Sequence, residues 1–145
     1  MTGAPSVRVA RVGAPRREPG VWRSLLTLSL VRLSLVLFGL GRTVRVIRRL
    51  DRGRAAGAAP DAATTRDIEA SVAKAAALFP GRALCLEQSL TLYTLLRRSS
   101  VPARLRLGVQ AYPFAAHAWV EADGEPLNDL AEHIAFYAPL EDLLP

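Results

Sequence analysis

The chain has 145 residues, of which half are hydrophobic and 22% are charged. This length and composition suit one domain of ordinary size that can bury a core. The single cysteine excludes an internal disulfide, which favours a reducing compartment and predicts a cytoplasmic protein. Residues 1–54 carry twelve arginines and two acids, a net charge of +10, whereas residues 55–145 carry seven basic and eleven acidic residues, a net charge of −4. The asymmetry indicates a basic docking or anchoring arm, or only a chain in which arginine fills nearly every basic role.

The N-terminal third divides into a tail and a helix. Residues 1–20 have no apolar run behind their charges and are predicted to be a flexible basic tail, not a signal peptide. Residues 21–52 are rich in leucine, contain no proline and are predicted to be helical, with a break at Gly39 or Gly41. Apolar residues surround this helix, as in a helix that is buried or in lipid. Because a central arginine costs roughly 2.5–3.5 kcal/mol in a membrane, Arg32 favours packing on the domain or on a partner.

A linker and a second, mildly acidic part follow. Residues 53–63 are rich in Gly, Ala and Pro and are predicted to be a linker. The domain proper is predicted over residues 64–145. Its first helix is expected to begin with a capping pair of Thr64 and Asp67. The helix is expected to end at Pro80-Gly81, because proline cannot continue it.

The next elements change period along the chain. Residues 84–98 have apolar positions at helical spacing and two arginines in the last turn, where positive charge suits the helix dipole. Residues 104–110, RLRLGVQ, alternate apolar and polar side chains and predict a strand. Residues 115–122 and 125–129 predict two more strands. Two helices followed by three strands indicate an α+β fold, with helices on one side of a small antiparallel sheet.

The loop between the second and third predicted strands decides which residues share a sheet face. A three-residue loop at residues 122–124, with a bulge, places His117 directly opposite Asp129, with Cβ atoms about 5 Å apart. A two-residue Asp123-Gly124 loop places Asp129 on the other face. A contact between His117 and Asp129 is therefore expected to require the three-residue loop. Trp119 is expected on the face of His117 because side chains alternate along a strand.

Cys85 lies at the predicted start of a helix, and a helix N-terminus favours the thiolate form of cysteine. If that helix end faces His117, the chain has a nucleophile in Cys85, a general base in His117 and an orienting carboxylate in Asp129. The backbone N–H of Cys85 could then stabilise an oxyanion. The alternative is a small buried cysteine, a core histidine and an aspartate in a turn.

The sequence predicts no cofactor and no metal. One cysteine and two histidines, with His133 sixteen residues after His117, match no standard zinc spacing. There is no Gly-rich phosphate loop. The arginines of residues 42–54 have no aromatic residues among them for base stacking, so no nucleic-acid partner is predicted.

The segments CLEQSLTLYTLLRR, PFAAHAWVE and LND resemble, in order, the transglutaminase-like cysteine protease domain of lasso-peptide biosynthesis. The resemblance covers roughly residues 64–145. It implies a papain/transglutaminase-like fold with Cys85, His117 and Asp129 as the catalytic triad. It also implies the reaction, which is hydrolytic removal of the leader peptide from a ribosomal precursor.

The resemblance implies partners as well. A separate ATP-dependent cyclase would close the macrolactam after the leader is removed. The basic helical segment is too poor in strands to be the leader-recognition domain of the family's fused forms, which implies the split form with a separate small leader-recognition protein. Residues 21–50 are then a candidate docking surface for that protein, the precursor or the cyclase, with membrane contact the less favoured reading. Two other functions stay open: acyl transfer to an amine, and a non-catalytic interaction module of the same fold.

Overall fold

The computed structural model describes residues 20–52 and 61–140. The helices are α1 (Val21–Asp51), α2 (Ala62–Leu78), α3 (Cys85–Arg98) and α4 (Ala131–Ile134), and the strands are β1 (Arg104–Gln110), β2 (Ala115–Ala122), β3 (Glu125–Pro126) and β4 (Ala138–Pro139). The strands form an antiparallel sheet in the order β3-β2-β1-β4. Helix α3 packs on β1 and β2, and α1 and α2 pack on α3. The predicted α+β class is confirmed. The predicted tail lies outside the described residues, apart from its last residue.

The hydrophobic core is centred on α3, which is apolar on several sides because it is enclosed by helices and sheet. Its buried members come from α1, α2, α3 and the sheet, and they include Val31, Val44, Ile47, Ile68, Val72, Leu90, Leu92, Tyr93, Leu95, Leu96, Leu105 and Val120. Helix α1 therefore shares the core of the helices and sheet that follow it. Most of the predicted linker, residues 53–60, lies outside the described part of the chain, so the predicted domain boundaries stay predictions.

Helix α1 is kinked and packs by one face. The kink is at Gly39, whose φ of +73° is a conformation that glycine adopts without steric cost. By length and composition α1 could cross a membrane, a test that core helices of soluble proteins also pass. Arg32, however, lies on the domain: its Nη1 is 3.3 Å from the carbonyl of Arg82 and 3.6 Å from Oε2 of Glu87. Its guanidinium also lies 5.4 Å from the ring centre of Phe79.

Helix α2 begins two residues before the predicted start, and its predicted cap was wrong. The N-cap is Asp61, whose Oδ1 accepts hydrogen bonds from the Thr64 backbone N–H at 3.0 Å and from the Thr64 hydroxyl at 2.9 Å. An aspartate three residues before a backbone N–H satisfies one of the donors that every helix start leaves unpaired. Thr64 is therefore inside the first turn, and Asp67 is not its capping partner.

Strands β1 and β2 have the predicted bounds, but the loop after β2 differs from the prediction. Asp123 and Gly124 have φ values of +52° and +81°, and Ala122 pairs with Glu125. This is a two-residue hairpin loop of the type that Asp-Gly favours, because its twist matches that of the strands. The predicted three-residue loop was wrong. Strand β3 is also shorter than predicted, and the two-residue β4, which is too short to show alternation, was not predicted.

Candidate active site

The structure brings His117 and Asp129 together in spite of the two-residue loop. Oδ2 of Asp129 contacts Nε2 of His117, and both side chains are mostly buried. The chain leaves the sheet soon after Pro126, and the last backbone bond to β2 is the one from Leu127 N–H to Val120 O at 3.0 Å. Asp129 therefore lies beyond the strand, where side chains need not alternate between the two faces of the sheet, and its carboxylate can turn toward His117. The expected dependence of this contact on a three-residue loop was wrong.

Asn128 holds the segment that carries Asp129. Its Oδ1 accepts the backbone N–H of Val120 at 2.8 Å, replacing a backbone partner in the ladder. Its Nδ2 donates to the hydroxyl of Ser89 at 2.8 Å, and that hydroxyl donates to the carbonyl of Ala118 at 2.9 Å. Ser89 and Val120 are fully buried. This network joins α3, β2 and the segment after β3 at the level of His117.

Cys85 is the first residue of α3 and is partly buried. The turn is held by Glu87, whose Oε2 accepts the backbone N–H of Leu84 at 3.0 Å. Backbone N–H groups in a first helical turn have no acceptor within the helix and can bind a developing negative charge. Cys85 and Ser89 are four residues apart and share a face of the helix. Because Ser89 contacts Ala118, Cys85 lies one turn along the α3 face that meets β2, the strand of His117.

The electrostatics of Asp129 favour the ionised carboxylate. Partial burial raises the pKa of Asp129. Hydrogen bonds from His133, the Leu130 backbone and His117 lower it by more, so the pKa lies below its usual range. An ionised carboxylate only accepts hydrogen bonds, so Nε2 of His117 carries a proton toward it. In the neutral imidazole of His117 the lone pair is then on Nδ1, where it can accept a proton from a thiol.

Aromatic rings hold the imidazole of His117. Trp119 is stacked with it at 6.1 Å between ring centres, and Tyr137 lies 5.2 Å away. Nε1 of Trp119 donates to Oε1 of Glu121 at 2.9 Å, which fixes the indole. Gly108 pairs with His117 across β1 and β2, and a Cβ there would lie 2.7 Å from Cβ of Tyr137 and 2.9 Å from the Trp119 ring. Trp119 therefore lies on the face of His117, as predicted.

Sequence reasoning missed the supporting residues of this site. Ser89 and Asn128 lie inside the motifs that carry the resemblance, but no role was predicted for them. The useful signals were local: Ser89 is one helical turn from Cys85, and Asn128 precedes Asp129. His133 was considered only for its zinc spacing. Its Nδ1 lies 2.7 Å from Oδ2 of Asp129, the oxygen that also contacts His117.

The fold and the site define a protein of the transglutaminase-like class. The chain belongs to the transglutaminase-like superfamily, whose family model matches residues 27–142, from within α1 to beyond β4. The chain is also similar to the microcin J25-processing protein McjB of Escherichia coli, with 40% identity over 45 residues. That match covers 31% of this chain and 22% of the relative, so the chain spans only about a fifth of the length of McjB. No solved structure matches. The family resemblance indicated by the motifs is confirmed.

Proposed function

We propose that this protein is a cytoplasmic cysteine peptidase that removes the leader peptide from a lasso-peptide precursor before a separate cyclase forms the macrolactam. The observation that carries the proposal is the contact of His117 with Asp129. His117 lies on β2, which packs against α3, the helix that begins at Cys85. The family match and the similarity to a microcin-processing protein support it. The chemistry needs no cofactor.

In the proposed mechanism, Nδ1 of His117 takes the thiol proton of Cys85, and Sγ attacks the scissile carbonyl. The backbone N–H of Cys85 stabilises the oxyanion. The imidazolium then gives its proton to the leaving amine, which frees the core peptide and leaves the leader as a thioester on Sγ. His117 next activates a water that hydrolyses the thioester and regenerates the thiol. Asp129 holds the tautomer of His117 throughout.

The same proposal includes docking on α1. A stripe along its first half is apolar and at least 54% exposed at every position: Trp22, Leu26, Leu30, Leu33 and Leu37. At 100° per residue this stripe lies opposite the face of Ser24, Leu28 and Val31, which packs on the domain. Exposed apolar stripes of this kind mark protein or membrane interfaces, and the contact of Arg32 with the carbonyl of Arg82 favours the protein interface. We assign the stripe to the separate leader-recognition protein, which would raise the effective concentration of the leader at Cys85.

The catalytic part is tested by mass spectrometry of a cognate precursor incubated with the full chain, with and without the leader-recognition protein. The expected result is a single cut at the leader–core junction that is lost in Cys85→Ala and kept in Ser29→Ala, an exposed control. Equal cutting by Cys85→Ala would refute the role of the thiol. A product joined to an amine would indicate acyl transfer, and tight leader binding without any cut would indicate a non-catalytic interaction module.

The docking part is tested by the affinity of the leader-recognition protein for the full chain. A Leu30→Glu and Leu33→Glu double variant is expected to weaken binding by more than tenfold, because two charges would enter an apolar contact. Leu78→Glu is the control, since Leu78 is a leucine on α2 that is somewhat more exposed than Leu30 and Leu33. Equal affinity of the double variant and the control would remove the docking assignment and leave the catalytic proposal untouched.

A further inference from the structure

His117, Asp129 and His133 form a cluster that the peptidase mechanism does not fully use. Their ligand atoms all lie within 4.8 Å of one another, and a single carboxylate oxygen lies between the two imidazoles. The mechanism requires only one of these histidines. The second, His133, is the third residue of α4, which begins two residues after Asp129, and its Nδ1 lies 2.7 Å from the carboxylate.

We propose that these three residues bind one divalent transition-metal ion of the zinc type, and that the bound ion switches off the base function of His117. Two imidazole nitrogens and one carboxylate oxygen suit Zn²⁺, Co²⁺ or Ni²⁺, whereas Mg²⁺ and Ca²⁺ prefer oxygen ligands only. The sequence analysis compared only the cysteine and the two histidines with known zinc spacings. In the cluster, the carboxylate of Asp129 takes the place of a third histidine or cysteine.

The surroundings fit a three-ligand site with an accessible side. Half of the His133 side chain is exposed, whereas those of His117 and Asp129 are about 85% buried. Metal–ligand bonds of about 2.0–2.1 Å in a tetrahedron place neighbouring ligands about 3.3 Å apart. Both imidazole–carboxylate pairs must therefore open to admit an ion, the His133–Asp129 pair by about 0.6 Å from 2.7 Å, and the exposed His133 ring has room to move. The Leu130 backbone N–H holds the other carboxylate oxygen at 2.7 Å and orients the ligand.

The switch follows from the two nitrogens of His117. Without metal, Nε2–H faces Asp129 and the lone pair of Nδ1 is available to a thiol. Coordination uses the lone pair of Nε2, so the proton of the neutral ring moves to Nδ1. No proton is gained or lost, but Nδ1 becomes a donor and can no longer deprotonate Cys85. This inhibitory effect rests on the proposed peptidase function, whereas metal binding does not.

Binding is tested in the Cys85→Ala background, which removes the thiol as a competing ligand. The metal-free full chain is titrated with Co²⁺ and with Zn²⁺, followed by visible absorption and calorimetry. We expect one ion per chain in Cys85→Ala, and at least tenfold weaker binding when His133→Ala or His133→Asn is added. Asparagine keeps a donor for Asp129 but is a poor zinc ligand, so it separates ligation from local structure. No binding to Cys85→Ala, or equal binding by all three proteins, would overturn the proposal.

Inhibition is tested by precursor cleavage with increasing Zn²⁺, with reversal by a chelator. The Zn²⁺ concentration for half inhibition is expected to rise at least tenfold in His133→Ala, each protein being compared with its own metal-free rate. Binding without inhibition of an active enzyme would refute the switch. If no protein cleaves the precursor, the peptidase proposal fails, and the titration in the Cys85→Ala background still decides whether the metal site exists.

Discussion

The network of Asn128 predicts a large, coupled loss of stability when it is cut. Asn128→Ala removes two hydrogen bonds of 2.8 Å and leaves the buried N–H of Val120 and the hydroxyl of Ser89 without these partners. Each net bond contributes about 0.5–1.5 kcal/mol, and each buried group left unpaired costs about 1–3 kcal/mol. Because relaxation and water recover part of this cost, we expect a fall of about 2–4 kcal/mol in the free energy of unfolding.

A double-mutant cycle in chemical denaturation measures the coupling. Ser89→Ala alone should cost about 1–3 kcal/mol, since it removes the bond to the carbonyl of Ala118 as well as the one from Asn128. The double variant should be at least about 0.5 kcal/mol more stable than the sum of the single losses predicts, because the shared bond is counted twice. Ser29→Ala, which removes an exposed hydroxyl bonded within its own helix, should change stability by less than about 0.5 kcal/mol.

The same cycle has a catalytic readout. Asp129 follows Asn128 directly, and a displacement of about 1 Å in a catalytic group can cost 100-fold in rate. Precursor cleavage by Asn128→Ala should therefore fall at least tenfold under conditions where the variant is fully folded. A stability loss below about 0.5 kcal/mol, strict additivity with Ser89→Ala, or an unchanged cleavage rate would refute the role assigned to this network.

Three further predictions concern the surroundings of the site and the core. Gly108→Ala should destabilise by about 1–3 kcal/mol in denaturant and slow cleavage, because its Cβ would push on the rings beside His117, whereas Gly41→Ala, with open space, should be neutral or stabilising. Glu87→Ala should cost about 1–2 kcal/mol and speed amide hydrogen exchange in the first turn of α3, since it removes the cap. Burial, and then the charge of Asp51, raise the pKa of Tyr93 to about 12 from an ordinary value of 10, so this tyrosine stabilises fully below pH 10. Up to about 3 kcal/mol should be lost between pH 10 and about 12 in urea titrations, and Tyr93→Phe should flatten that loss.

The longer helices and strands, and the proximity of His117 to Asp129, were predictable from the sequence. The predicted bounds of β1 and β2 are the observed ones, and in β1 they follow from the alternation of apolar and polar residues in RLRLGVQ. The loop between β2 and β3 was not predicted correctly, since Asp-Gly supports both candidate turns and local sequence does not decide between them. Strand alternation also failed for Asp129, because a side chain of Asn128 replaces the backbone in the ladder.

Long-range contacts were the second limit. In the sequence, Arg32 interrupts an apolar helix. In the structure it lies beside Glu87, which is 55 residues away in the chain. The pairing of His133 with Asp129 depends on where α4 begins, and this helix has only four residues, too few to show periodicity. Both features require the tertiary structure, whereas the triad hypothesis rested on residue types, their order and the family resemblance.

In the proposed mechanism Cys85 carries the leader as a thioester that water hydrolyses. The decisive experiment is cleavage of the precursor in water enriched in ¹⁸O, followed by intact mass spectrometry of the released leader. We expect one ¹⁸O in the new leader carboxylate, a core peptide with a free amine, and neither product with Cys85→Ala. The same labelled leader from Cys85→Ala, or a leader joined to an amine without ¹⁸O, would contradict it.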